Sequence, residues 1–146
     1  MNERSFPSAA VTAVTVVSAG IFIGLGVWMW GWPASFSTYV NFPIHVHFLH
    51  DMGVFHIGLA IGMLVALFRR DAIYAVLVGL TVICVLHAIN HVIDLDIGGN
   101  PSDPYLIAGQ AVLSGVGAWL RGRQLAAQPQ RADTPDQSAS SSGSRT

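Results

Sequence analysis

Pro43–Asp94 reads PIHVHFLHDMGVFHIGLAIGMLVALF, then Arg69-Arg70-Asp71, then AIYAVLVGLTVICVLHAINHVID. Two apolar runs, Pro43–Phe68 and Ala72–Asp94, are separated by one short charged turn. Each is long enough for the ~20 residues with which an α-helix crosses a bilayer. So tight a turn predicts an antiparallel hairpin of two membrane helices. Two further apolar runs flank it, Ala9–Trp30 and Pro104–Leu120. The expected fold is therefore all-α, an integral membrane four-helix bundle. Composition agrees: charged residues are 10% and apolar residues 52% of the 146, whereas a soluble domain carries about 25% charged residues.

The arginines orient the map. All 7 basic residues fall on one side of it: Arg4, then Arg69 and Arg70, then Arg121, Arg123, Arg131 and Arg145. The segments Gly31–Phe42 and Leu95–Asp103 hold no Lys or Arg. The positive-inside rule then predicts both termini in the cytoplasm and a multi-pass protein of the plasma membrane. The 8 acidic residues nearly cancel the bases, so the lipid bilayer, and no nucleic acid, is the expected partner. The first run exceeds the 7–15 apolar residues of a signal-peptide core, and only one Arg precedes it, so it is expected to remain as a span.

The chain divides into a polar lead (1–8), a membrane domain (9–124) and a cytoplasmic tail (125–146). The tail is rich in Gln, Ser, Pro, Asp and Gly; it cannot bury apolar surface and is expected to be disordered. Trp28, Trp30, Trp32 and Tyr39 form an interfacial aromatic belt, with room for a short interfacial helix. Pro43 suits the first turn of the second helix. Gly20/Gly24 and Gly58/Gly62 are spaced four apart, which lets helix backbones approach closely. Packing within the chain is their expected use, and a homo-oligomer or a larger membrane partner the lesser one. Thr12, Thr15 and Ser18 have hydroxyls for their own helix or a neighbour. Cys84 has no second cysteine to pair with.

The functional clue is polar. His47, His50 and Asp51 share one stripe of the second run, and His87, Asn90, His91 and Asp94 share one stripe of the third, because positions three and four apart lie on one helix face. An Asp at mid-membrane costs roughly 2.5–3.5 kcal/mol on the insertion scale. At ~1.5 Å per residue, Asp51 lies about 7 Å and His87 about 6 Å from the middle of their spans. In a hairpin centred near Arg70, His50 comes to the level of Asn90 and His91, and His47 to that of Asp94. One outward-facing pocket is expected.

Several chemistries fit these groups. Neutral imidazoles with a carboxylate suit zinc, iron or copper, with His50, Asp51, His87 and His91 as ligands. His47 and Asp94 would then be further ligands or their supports, and Asn90 would orient a ligand or water. A His–Asp pair can relay protons or do acid–base work. Haem between His50 and His87 or His91 is less supported, lacking a second pair and an attachment motif. The plain alternative is a non-catalytic accessory subunit whose polar stripe is interhelical glue, each bond worth about 0.6–2 kcal/mol. Off the stripe, His56 is expected to be a packing histidine, and Asp96 and Asp103 to be solvated.

His47-x-x-x-Asp51-x-Gly53, with His87-x-x-Asn90-His91-x-x-Asp94-x-Asp96-x-Gly98-Gly99, resembles the pattern of a group of uncharacterised four-span integral membrane proteins from high-GC actinobacteria. The resemblance covers His47–Pro104 and implies a fold rather than an activity. An Arg commonly precedes the second-span Asp in that group; His50 stands there in this chain. The expected bundle is also distantly similar to DoxX-like four-helix proteins.

Overall fold

A computed structural model of the chain describes residues 6–69 and 72–128. Its secondary structure is five α-helices: α1 Ala9–Gly31, α2 Pro33–Tyr39, α3 Val46–Phe68, α4 Ala72–Ile93 and α5 Asp103–Ala126. There is no strand among the described residues. The lead before Phe6 and the tail beyond Gln128 lie outside them, as do Arg70 and Asp71.

Local chemistry sets the boundaries. Ser8 caps α1, its Oγ accepting from the Val11 N–H at 3.4 Å. Such caps satisfy amides left without helical partners. Pro33 stops α1 by driving Trp32 out of the helical region (φ −140°, ψ 59°) and opens α2. α2 is the short interfacial helix, and Trp28 packs on it, bonding Ser35 Oγ at 3.2 Å and lying edge-on to Phe36. α3 begins later than Pro43. Its first turn is capped by His45, whose Nδ1 accepts from the Phe48 N–H at 3.1 Å. At the other hairpin end, the Ala72 N–H reaches the Arg69 carbonyl at 2.7 Å.

α1, α3 and α4 are the three helices long and apolar enough to cross a membrane, with mean hydropathies of 2.1, 1.9 and 2.4. Much of their exposed surface is apolar, including Phe55, Leu86 and Ile93. These helices mark the chain as a membrane protein. α5 is as long but more polar. It extends past the apolar run Pro104–Leu120 at both ends, taking in Asp103 and Arg121 to Gln124.

The packing differs from simple chain order. α1 packs along α3 and α4 along α5, while α3 and α4 touch only lightly despite their short connection. Ala19, Phe22, Ala60, Met63, Leu80, Cys84 and Ala111 form one buried core. Val11, Ala66, Ile73, Leu77 and Ala118 form another nearer the arginines. α1 and α3 cross at Gly26 and Gly53. A Cβ on Gly26 would meet the Gly53 carbonyl oxygen at 2.7 Å, and one on Gly53 the Gly26 oxygen at 2.8 Å. This corrects the expectation for Gly20, Gly24, Gly58 and Gly62, at which an added Cβ meets nothing within 4 Å. Those four face away from the core.

One polar contact joins the two helix pairs and another lies within the α4–α5 pair. Gln110 Nε2 donates to Ser18 Oγ at 2.8 Å, and Thr81 Oγ1 to Ser114 Oγ at 3.0 Å. Thr15 bonds within its own helix, to the Val11 carbonyl at 2.8 Å. Gly117 lies against Val14, and Gly122 against Tyr74. The start of α1, the α3–α4 connection and the end of α5 therefore share one end of the molecule, with Arg69, Arg121 and Arg123.

Candidate functional site

The buried stripe of α4, Ile73, Leu77, Leu80 and Cys84, continues at helical spacing to His87 and His91. Because α3 stands off from α4, this continuation is not sealed: His87 is exposed and His91 half-buried. Their Nε2 atoms lie 3.0 Å apart, hydrogen-bond distance. On the far side of the His91 ring, Nδ1 is 4.0 Å from Asp103 Oδ2, with the two side chains 26% and 12% exposed. The Asn100 N–H fixes that same Oδ2 with a 2.8 Å bond. Asp103, in the first turn of α5, thus holds His91, and His91 meets His87.

A loop passes over His91 and Asp103. Gly99, at φ 94°, passes so close that a Cβ there would sit 3.5 Å from both His91 Nδ1 and Asp103 Oδ2. The covering is tied down across the molecule. The Gly99 N–H donates to the Asn41 carbonyl at 3.0 Å, and Asn41 Nδ2 donates back to the Gly99 carbonyl at 3.3 Å. Asn100 Nδ2 adds a 2.9 Å bond to the Tyr39 carbonyl. Asn41 takes a positive φ of 51° to do this, a conformation asparagine tolerates better than most residues. Beside the tie lies an open cleft of about 770 Å³, lined by Ser37, Thr38, Asn41, Phe42 and Asp96 among others.

His56 approaches from α3. It stacks on Phe22 of α1 with ring centroids 5.1 Å apart. Its Nδ1 is 2.7 Å from the Met52 carbonyl. A carbonyl only accepts, so Nδ1 carries the proton and Nε2 is left as acceptor. The expected packing role is what this geometry shows.

Of the expected α4 stripe, His87 and His91 are therefore brought together, and the α3 half is not brought to them. His47 and Asp51 pair with each other at 3.5 Å, their side chains 84% and 53% exposed, on the face of α3 turned away from the core. Among the described residues, neither Asp51 nor His50 bonds to α4. The reason is rotation: α3 gives Leu49, Gly53, Ala60 and Met63 to the interior, and the stripe through His47 and Asp51 points the opposite way. Asn90 is exposed and its carbonyl accepts from the Asp94 N–H at 2.9 Å. Among the described residues no group of three or more His, Cys, Asp or Glu is arranged to hold a metal ion.

Sequence reasoning expected a solvated Asp103, which instead lies largely covered beside His91, and a packing His56, which stacks on Phe22. His56 had a usable signal, falling on the spacing Leu49-Gly53-His56-Ala60-Met63. Asp103 had a weaker one, an acid at a helix start just before Pro104. No family model matches the chain, and neither a curated protein nor a solved structure does.

Proposed function

We propose that this chain is a small four-span protein of the plasma membrane, with both termini in the cytoplasm, whose Asp103–His91–His87 string takes up and relays protons at the outer face. The observation that carries the reading is the 3.0 Å Nε2–Nε2 contact with a carboxylate on the opposite nitrogen of one ring. An imidazole binds a proton at one nitrogen while releasing one from the other. A proton passing from Asp103 to His91 Nδ1 leaves from His91 Nε2 to His87 Nε2, and one proton enters for each that goes on.

The in-line order favours a relay over a metal centre. The carboxylate and the second imidazole lie on opposite sides of the His91 ring, so they do not converge on one point. The His87–His91 contact lies within α4 and joins no helices, the bridging being done by Ser18–Gln110 and Thr81–Ser114; only the 4.0 Å approach of Asp103 to His91 spans α4 and α5. The arginines gathered at the other end support the orientation. The length of α5 and its packing along α4 support a fourth span. The resemblance to actinobacterial four-span proteins points to the same topology.

The test is 15N-histidine solid-state NMR of the protein in bilayers across pH, with elemental analysis of the same sample. A coupling between His87 and His91 Nε2, perturbed at both rings by Asp103→Asn, is expected. Independent titration of the two rings, or near-stoichiometric bound metal lost in His91→Ala, would overturn the proposal.

A further inference from the structure

His47, Asp51, Val54, Gly58, Ile61 and Val65 recur at intervals of four and three along α3 and are all exposed. This is the 3.5-residue period of a helix-packing seam. α3 therefore carries two seams. The one through Leu49, Gly53 and Ala60 is occupied by the rest of the chain. The opposite one is empty and has the ionisable pair His47–Asp51 near its start.

In the observed helix Val46–Phe68, Asp51 lies about 9 Å from the midpoint at ~1.5 Å per residue. That is inside a hydrocarbon layer of about 15 Å half-thickness. A carboxylate at that depth, turned outward, faces lipid unless another helix covers it, while His47, about 15 Å from the midpoint, stands at the edge of the layer. Ionisable residues within spans almost always face protein or a water-filled cavity. The same seam has no side chain at Gly58, and Gly62 lies beside it, both with open space where a Cβ would be. Small residues there let a second backbone come close.

We infer that the outward face of α3 is the interface with a second copy of this chain. A second copy supplies what the seam lacks without any added requirement. Two copies inserted with the same topology run parallel, so each presents His47 and Asp51 at the depth where the other does. His47 of one copy then reaches Asp51 of its mate, and the two carboxylates leave the lipid together. A polar layer at one level of an otherwise apolar seam also fixes the register of a parallel pair. The outward ridge of α1 at Gly20 and Gly24 has no ionisable group, so lipid suffices to cover it. The interface uses none of the relay residues and stands or falls separately from the relay.

The test uses full-length protein in bilayers, in a Cys84→Ala background. Oxidative cross-linking is expected at Val54→Cys and Ile61→Cys, and not at Val112→Cys on exposed α5. Gly58→Leu is expected to weaken dimerisation, read by energy transfer on lipid dilution, by about tenfold. Because the Gly58 position opens to empty space within one chain, the same substitution is expected to leave the monomer's helicity and melting unchanged. Asp51→Leu is expected to favour the monomer, since it removes the group that needs covering. Cross-linking in the seam no greater than at Val112→Cys, a shift of cross-linking to Val17→Cys on α1, or unaltered association in both Gly58→Leu and Asp51→Leu would overturn the inference.

Discussion

Alanine at Gly26 and alanine at Gly24, two residues apart on α1, are expected to change stability in opposite directions. A Cβ on Gly26 would lie 2.7 Å from the Gly53 carbonyl oxygen and 2.8 Å from Ile57 Cγ1. The first obstacle is backbone, which cannot rotate aside, so the overpacking cost belongs at the upper end of its range, about 3 kcal/mol. Replacing glycine by alanine within a helix returns about 1 kcal/mol. Gly26→Ala should therefore destabilise by about 2 kcal/mol. A Cβ on Gly24 meets nothing within 4 Å, so Gly24→Ala keeps only the gain of about 1 kcal/mol. The variants should differ by about 3 kcal/mol, roughly a hundredfold in folding equilibrium. Reversible unfolding in mixed micelles, followed by circular dichroism as denaturing detergent is raised, reads this difference. If both substitutions move stability the same way, or Gly24→Ala is the more harmful, the α1–α3 crossing at Gly26 and Gly53 is wrong.

Gly99→Ala should cost about 1–3 kcal/mol, because φ there is 94° and a side chain strains that backbone. The same variant should shift the His91 ring signals, since its Cβ would arrive 3.5 Å from Nδ1. A double-mutant cycle on Ser18→Ala and Gln110→Ala should give a coupling of about 0.6 kcal/mol, the mean for hydrogen bonds between membrane helices, measured in the same unfolding assay. A coupling near zero would mean that the 2.8 Å Gln110–Ser18 bond does not hold α5 to α1.

The helices were legible because length and hydropathy are local properties. Four long helices stand where four apolar runs do; α5 runs six residues past Leu120 on a polar stretch that hydropathy does not mark, and the shift of the α3 start from Pro43 to Val46 came from an unusual cap, His45. Rotation of α3 was not legible. In lipid, apolar residues cover both the inner and the outer face, so the usual contrast between wet and dry sides is missing. Both α3 seams carry histidine, and polarity seemed to mark the interior when on one of them it marks the outside. Depth was read better than rotation: His87 and His91 fall at the end of α4 opposite the Arg69 connection, as a hairpin centred near Arg70 implies. The site's remaining member, Asp103, depends on a loop fold set by Asn41 and Gly99, 58 residues apart, which no local pattern encodes.

That distant tie changes what kind of object the chain is. The segment from Asn41 to Gly99 leaves along α3, returns along α4 and is fastened where it began, so it forms a ring. One link of the ring is covalent, between Phe68 and Ala72; the other is the reciprocal Asn41–Gly99 bonding. The hairpin already holds the two ends near each other, so fastening them costs little chain entropy. The reciprocal Asn41–Gly99 bonding and the Ser18–Gln110 bond tie the α1–α3 half to the α4–α5 half on either side of the histidines.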